Sequence, residues 1–185
     1  MNLILMGYRG TGKTSVGRLL AARLNRAFLD SDEMIKASSG KNVRKMVEEK
    51  GWSFFRREEK RVVAELSRND GCVVALGGGA VLDEENVRHL KDKGFFIWLT
   101  AGAETILNRL GGDGQTPGQR PSLTGKDPDE ETRSLLKTRE PLYAKLADCR
   151  VETSDRTVEE VAAEVLRILE EMPEKNPGMR KQHGR

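Results

Sequence analysis

The chain has 185 residues, a length that suits one well-filled domain rather than two, with 37% apolar and 33% charged residues. Most of its formal net charge of +3 comes from the stretch after Pro173, so the concentrated basic face that nucleic-acid binding needs is not indicated. No apolar run approaches the roughly 20 residues that span a bilayer, and no secretory signal pattern is visible, so we expect a cytoplasmic protein without membrane contact.

Five short apolar runs alternate with longer segments in which apolar residues recur every three or four positions. The runs predict strands with the sequences NLILM, AFLD, CVVAL, FFIWL and CRVET. The patterns between them predict helices, among them residues 13–25 and residues 158–172, the second opened by a capping box of Thr157 and Glu160. This alternation predicts an α/β fold with a parallel five-stranded sheet and helices on both faces.

The stretch GYRGTGKT, residues 7–14, lies between the first predicted strand and the first predicted helix. It matches G-x-x-x-x-G-K-[ST], a loop whose backbone N–H groups surround phosphates, while its lysine reaches the β- and γ-phosphates and its last hydroxyl binds Mg²⁺. A dinucleotide-binding loop is not indicated, because Ser15 stands where its third glycine would be. We predict that these residues bind a nucleoside triphosphate: Gly10, Thr11, Gly12, Lys13, Thr14 and Ser15.

Two carboxylates, Asp30 and Asp32, follow the second predicted strand. We expect the two side chains to point to opposite sides of an extended chain and therefore to have different partners. One would bind the metal ion, and the other would face the group that is phosphorylated. Capping of the next helix by Asp30 or Ser31 is the alternative, and the pattern alone leaves it open.

Two segments interrupt the alternation of strands and helices. Residues 31–69 contain two or three predicted helical pieces and are interpreted as a substrate-binding insertion. Residues 111–125, rich in Gly, Pro and polar side chains, predict a mobile lid over a site. We expect residues 1–172 to form a single domain and residues 173–185 to be a disordered basic tail.

Three consecutive glycines, Gly77–Gly79, follow the third predicted strand and predict a backbone that a small ligand can approach closely. Three arginines stand in separate motifs along the chain: Arg56, Arg120 and Arg139. Together they suit phosphoryl transfer to a small carboxylated alcohol, since two can clamp a carboxylate and one can face the γ-phosphate.

The motifs GYRGTGKT, FLDSD, FFRREE, LGGGAV, RPSL and REPLY, in this order, resemble those of shikimate kinases over residues 3 to about 169. The resemblance implies a three-layer P-loop kinase fold of the nucleoside-monophosphate-kinase-like architecture, with a helical substrate-binding insertion and a lid loop. It implies ATP and Mg²⁺ as cofactors. The implied reaction is phosphorylation of the 3-hydroxyl of shikimate, a step towards chorismate and the aromatic amino acids.

The resemblance also implies roles for individual residues. Thr14 and Asp30 would hold Mg²⁺, and Asp32 would bind the substrate hydroxyls and accept the proton. Lys13 and Arg120 would stabilise the transferring phosphoryl group, so Lys13, Asp32 and Arg120 are the predicted catalytic residues.

The remaining roles concern binding of the two substrates. The resemblance implies that Arg56 and Arg139 bind the carboxylate of shikimate, helped by Gly78 and Gly79. Gly77 and Asp32 complete the predicted shikimate-binding residues. By the same resemblance, Arg109 and Arg156 would contact the adenine of ATP. Two alternatives remain: a kinase for another small hydroxy acid such as gluconate, and a non-catalytic nucleotide-binding regulator, against which Asp32 and the arginines argue. We expect a monomer whose partner is the small-molecule substrate.

Overall fold

The computed structural model describes residues 1–112 and 127–172. Within these ranges the strands are β1 (Asn2–Met6), β2 (Phe28–Asp30), β3 (Val73–Ala75), β4 (Gly94–Thr100) and β5 (Cys149–Glu152). The helices are α1 (Lys13–Leu24), α2 (Ser31–Ser39), α3 (Val43–Leu66), α4 (Glu84–Lys91), α5 (Ala103–Gly112), α6 (Pro128–Leu146) and α7 (Val158–Glu171), and a short 3₁₀ turn covers Ala80–Leu82. Most of the predicted lid and all of the predicted tail, with Arg120, lie outside the described residues.

The five strands form one parallel sheet in the order β2-β3-β1-β4-β5. The central strand β1 pairs with β3 on one side and with β4 on the other, so Ile4 lies opposite both Val74 and Phe96. The predicted parallel five-stranded sheet is confirmed. Because all strands run the same way, their carboxyl ends meet at one edge, where open α/β sheets bind their ligands.

Helices cover both faces of the sheet because the buried strands are apolar on both sides. Leu3 and Leu5 of β1 point to one face and pack in a core with α1 and α7. Ile4 and Met6 point to the other face, whose core contains residues of α2, α3, α4 and α6. The result is a three-layer arrangement with an apolar core on each face of the sheet.

The segment between β2 and β3 is helical, as the sequence predicts. α2 and α3 fill it, and Gly51 breaks the helical conformation inside α3, with φ 78° and ψ 168°. The predicted capping box at the start of α7 is present, since Thr157 and Glu160 exchange side-chain and backbone hydrogen bonds. Among residues 1–112 and 127–172, no helix has the length and apolarity needed to cross a membrane.

Candidate active site

The loop of residues 7–12 connects β1 to α1 at the carboxyl edge of the sheet. Gly10 and Gly12 have φ values of 78° and 86°, in the left-handed region that favours glycine. Within the described ranges, no side chain caps the N-terminus of α1, and its first turn carries no acidic residue. The positive end of the helix and its N–H groups are therefore suited to an anion such as a phosphate.

Lys13 and Thr11 bridge this loop internally. The Lys13 ammonium donates hydrogen bonds of 3.0 and 2.8 Å to the carbonyl oxygens of Gly7 and Tyr8, so its side chain folds back over the loop. The buried Thr11 hydroxyl donates to the same Tyr8 carbonyl at 2.8 Å. The structure thus places a cationic group beside the predicted phosphate position. Ser15 lies in the first turn of α1, where it is exposed.

Thr14 and Asp30 lie next to each other, although they are distant in sequence. The Thr14 hydroxyl donates a 2.8 Å hydrogen bond to Oδ2 of Asp30. The other carboxylate oxygen, Oδ1, accepts hydrogen bonds from the N–H groups of Asp32 and Glu33 and thereby caps α2. Capping uses Oδ1 and leaves Oδ2 beside the Thr14 hydroxyl, so the two alternatives of capping and metal binding are compatible.

The expectation that Asp30 and Asp32 point to opposite sides of an extended chain is wrong, because residues two apart in a strand point to the same side. β2 ends at Asp30, whose side chain caps α2, so the chain turns into a helix at Ser31. Asp32 therefore lies in the first turn of α2. The two carboxylates have different neighbours because Asp30 ends β2 and Asp32 lies in α2.

The environment of Asp30 is unfavourable to its negative charge. Burial, and after it the nearby charge of Asp32, raise the pKa of the Asp30 carboxyl above its ordinary value, against the opposing effect of the Thr14 hydrogen bond. A cation at this position would relieve both effects.

The glycine turn, Gly77–Gly79, is the point where the predicted acceptor residues converge. A Cβ on the first glycine would lie 2.7 Å from Oδ1 of Asp32, and a Cβ on the third would lie 2.6 Å from a guanidinium nitrogen of Arg56. The carbonyl of the second accepts a 3.2 Å hydrogen bond from Arg139. A side chain on the first or third glycine would therefore displace a charged group, which explains glycine there without any unusual backbone angle.

The two acceptor-side arginines differ in environment. Arg139 is buried, with 7% of its surface exposed, and its guanidinium lies 5.6 Å from the centre of the Tyr8 ring. Arg56 is more open, with 33% of its side chain exposed, and it forms a 2.6 Å ion pair with the buried carboxylate of Glu59. We expect the more buried Arg139 to contribute more to binding of an anion, because water screens it less.

The side chains of Arg109 and Arg156, predicted to contact adenine, both reach the carboxyl end of β5. Arg109 donates to the Gly10 carbonyl at 3.2 Å and to the Thr153 carbonyl at 2.6 Å, so it joins the phosphate loop to this end of the sheet. Arg156 donates to the Glu152 carbonyl at 3.2 Å. The guanidinium groups of both arginines therefore contact the end of β5, and that of Arg109 also contacts the phosphate loop.

Comparison with known proteins agrees with this geometry. The family model described as shikimate kinase matches residues 9–170. A shikimate kinase of Syntrophus aciditrophicus is 45% identical over 90% of this chain and 89% of its own length, and one of Symbiobacterium thermophilum is 43% identical over 95% and 99%. The solved shikimate kinase of Acinetobacter baumannii in complex with shikimate superposes with a TM-score of 0.84 at 36% identity, covering 91% of this chain and 92% of the other.

The chain belongs to the shikimate kinase family. The family resemblance, the P-loop α/β fold and the enzyme class predicted from the sequence are confirmed. The predicted function, phosphorylation of shikimate, is that of the family, and the predicted use of ATP is confirmed with it. The family relation concerns the whole domain and does not by itself assign roles to single residues.

In this shikimate kinase fold, several polar contacts near the site were not predicted, and two of them join separate segments. The buried Ser31 hydroxyl accepts a 2.8 Å hydrogen bond from the first N–H of the glycine turn, which links the Asp30–Asp32 segment to that turn. Arg9 of the phosphate loop approaches the buried carboxylate of Glu131, at the start of α6, to 3.5 Å. Both contacts join segments that are distant in sequence, so no local pattern indicates them.

Proposed function

We propose that the chain transfers the γ-phosphoryl group of ATP to the 3-hydroxyl of shikimate at the residues described above. The convergence of Asp32, Arg56 and Arg139 on the glycine turn supports this assignment most directly. It provides a carboxylate for a hydroxyl group and two guanidinium groups for a carboxylate. The shikimate complex of the related Acinetobacter baumannii kinase supports the same acceptor.

On the nucleotide side, the loop of residues 7–14 would hold the phosphates through its backbone N–H groups and the N-terminus of α1. Lys13 would turn its ammonium from the loop carbonyls towards the γ-phosphate. There it would stabilise the charge that develops on the transferring group. Arg120, which lies outside the described residues, would act on the same group.

The donor atoms at Thr14 and Asp30 fit Mg²⁺. A hydroxyl and a carboxylate oxygen lie 2.8 Å apart, and both are hard oxygen ligands of the kind that Mg²⁺ selects. In the part of the chain that the structure describes, no group of three or more His, Cys, Asp or Glu residues could hold a metal ion. Mg²⁺ usually takes one or two protein ligands beside phosphates and waters, so one hydroxyl and one carboxylate are enough from the protein. When bound, Mg²⁺ supplies positive charge to the β- and γ-phosphate oxygens.

On the acceptor side, Asp32 would orient the hydroxyl and accept its proton. The hydroxyl oxygen forms a bond to the γ-phosphorus as the bond from phosphorus to the bridging oxygen of ADP breaks. The proton passes to the Asp32 carboxylate. Arg56 and Arg139 would bind the shikimate carboxylate and thereby fix the position of the ring.

A coupled assay of ADP release with shikimate, with gluconate and without an acceptor tests this function. We expect rapid release with shikimate and only background release in the other two reactions. Turnover of gluconate with none of shikimate would favour the other small-acid kinase. ADP release that no acceptor accelerates would favour the nucleotide-binding regulator.

The two carboxylates are expected to respond differently to amidation. Asp30→Asn should raise the Mg²⁺ concentration needed for half-maximal activity, because it removes the charge of a proposed ligand. Asp32→Asn should lower kcat by about 10²- to 10⁴-fold, the usual contribution of a general base, with ATP binding retained. Mg²⁺ titrations of kcat and ATP binding measurements distinguish the two. Identical kinetic defects in both variants would contradict the division of roles.

Asp30→Asn is also expected to raise the melting temperature at pH 7 without Mg²⁺. Because the pKa of Asp30 is raised in the folded state, the folded protein binds its proton more tightly than the unfolded chain does. Ionisation at neutral pH therefore destabilises the fold. Asparagine can still cap α2 but carries no charge. The advantage should shrink as the pH falls through the pKa of Asp30, where the parent carboxylate becomes protonated.

Thermal denaturation in EDTA across a pH series measures this effect. Asp83, which caps α4, is a matched control, because its hydrogen bond with Lys60 lowers the pKa of its carboxyl. The ionised Asp83 stabilises the folded state, and this contribution is lost as the pH falls through its folded pKa. Asp83→Asn should therefore lower the melting temperature at neutral pH. A change of the same sign in both variants would show that the charge of Asp30 is not responsible.

A further inference from the structure

The carbonyl of Gly78 receives two hydrogen bonds from one helix. The Tyr143 hydroxyl donates to it at 2.5 Å, and the Arg139 guanidinium donates at 3.2 Å. Arg139 and Tyr143 are four residues apart on α6, so they lie on the same face of the helix. The middle of the glycine turn is therefore attached to α6 through this single oxygen.

Tyr143 is buried at this position and packs against another aromatic ring. It is 1% exposed, and its ring lies 5.9 Å from that of Trp98 in β4 at an interplanar angle of 36°. Burial raises the pKa of its hydroxyl to about 12, so the hydroxyl keeps its proton and remains a donor at neutral pH. The phenol is thus a fixed donor, not a proton-transfer group.

Because the peptide bond is planar, the hydrogen bond to the Gly78 carbonyl also affects the orientation of the Gly79 N–H. The Gly78 carbonyl and the Gly79 N–H belong to the same planar peptide unit and point in opposite directions. Glycine residues leave such a unit free to rotate, because no side chain restricts the backbone angles on either side. A donor that fixes the carbonyl therefore also fixes the direction of the Gly79 N–H, which points away from α6.

The second residue of this peptide unit, Gly79, lies beside an arginine of the proposed carboxylate site. The Arg56 guanidinium lies against Gly79, with both terminal nitrogens within 2.7 Å of the position that a Cβ would occupy. We propose that Tyr143 is a positioning residue for the acceptor: its hydroxyl fixes the Gly78 carbonyl, which aims the Gly79 N–H and one N–H of Arg139 for carboxylate binding. This role rests on the proposed function, and Tyr143 itself does not touch the acceptor.

Tyr143→Phe tests the proposal, because phenylalanine keeps the ring packing and removes only the hydroxyl. We expect the KM for shikimate to rise about three- to tenfold, the range for one buried neutral hydrogen bond. The KM for ATP and kcat should stay within about twofold of the parent, since the phosphate loop is unchanged. With a shikimate analogue that lacks the carboxylate, the variant and the parent should have similar KM values.

Val165→Ala is the matched control for a loss of stability alone. Val165 is 1% exposed and packs in the core on the opposite face of the sheet. Its truncation should lower the melting temperature and leave both KM values unchanged. If Tyr143→Phe behaves like this control, or if it raises the KM for ATP and for shikimate equally, the positioning role is wrong. A parent enzyme that does not phosphorylate shikimate would instead overturn the proposed function, and this proposal with it.

Discussion

Replacing Lys13 with methionine is expected to lower kcat by about 10²- to 10³-fold, the usual cost of removing one preorganised group that stabilises transition-state charge. Methionine matches the unbranched stem of lysine but has no ammonium group. Steady-state kinetics with saturating ATP and shikimate would measure the effect.

The structure adds a second expected effect for this variant. The Lys13 ammonium also donates to the carbonyls of Gly7 and Tyr8, so its removal should loosen the loop and lower the melting temperature. Lys36→Met, on the exposed surface of α2, provides the control for loss of a lysine charge. A kcat near that of the parent, in a folded Lys13→Met protein, would contradict the assignment of the phosphate loop.

The sequence predicts the conformation of the phosphate loop and its flanking strand and helix well because the signals are local. The loop glycines, Lys13 and Thr14 lie within eight consecutive residues, and their backbone angles and helix terminus follow from that segment alone. The strand that precedes the loop is apolar on both faces, which indicates a central position in a parallel sheet. The sequence of this one segment is therefore sufficient to predict the strand, the loop and the helix.

The acceptor side is less predictable because its contacts are not local. Asp32 reaches the glycine turn only because α2 begins at Ser31. The start of this helix depends on whether Asp30 continues the strand or caps a helix, and the local sequence is compatible with both. The pairing of Arg56 with Glu59 could have been predicted from their spacing of three residues in a helix. The Ser31 contact with the glycine turn could not, since it depends on how two separate segments pack.

Because Arg139 is more buried than Arg56, we expect its replacement to cause the larger loss of shikimate binding. Arg139→Ala should weaken shikimate binding by about 2–5 kcal/mol, the range for truncating one partner of a buried charged pair. Arg56→Ala should cost less, because a third of its side chain is exposed and water can partly replace it. Lysine at position 139 should rescue only part of the loss, since it keeps the charge without the planar fork. ATP affinity should change much less in every case.

The control for Arg139→Ala is Arg133→Ala, on the same helix but in an exposed pair with Glu104. It should leave shikimate binding unchanged. The decisive comparison uses a shikimate analogue without the carboxylate, which should be a poor substrate for the parent. If Arg139 binds that carboxylate, the handicap of the analogue should shrink in Arg139→Ala, because protein and ligand have lost the two halves of one interaction. Equal losses with both acceptors would mean that Arg139 does not act on the carboxylate and that the carboxylate is bound elsewhere.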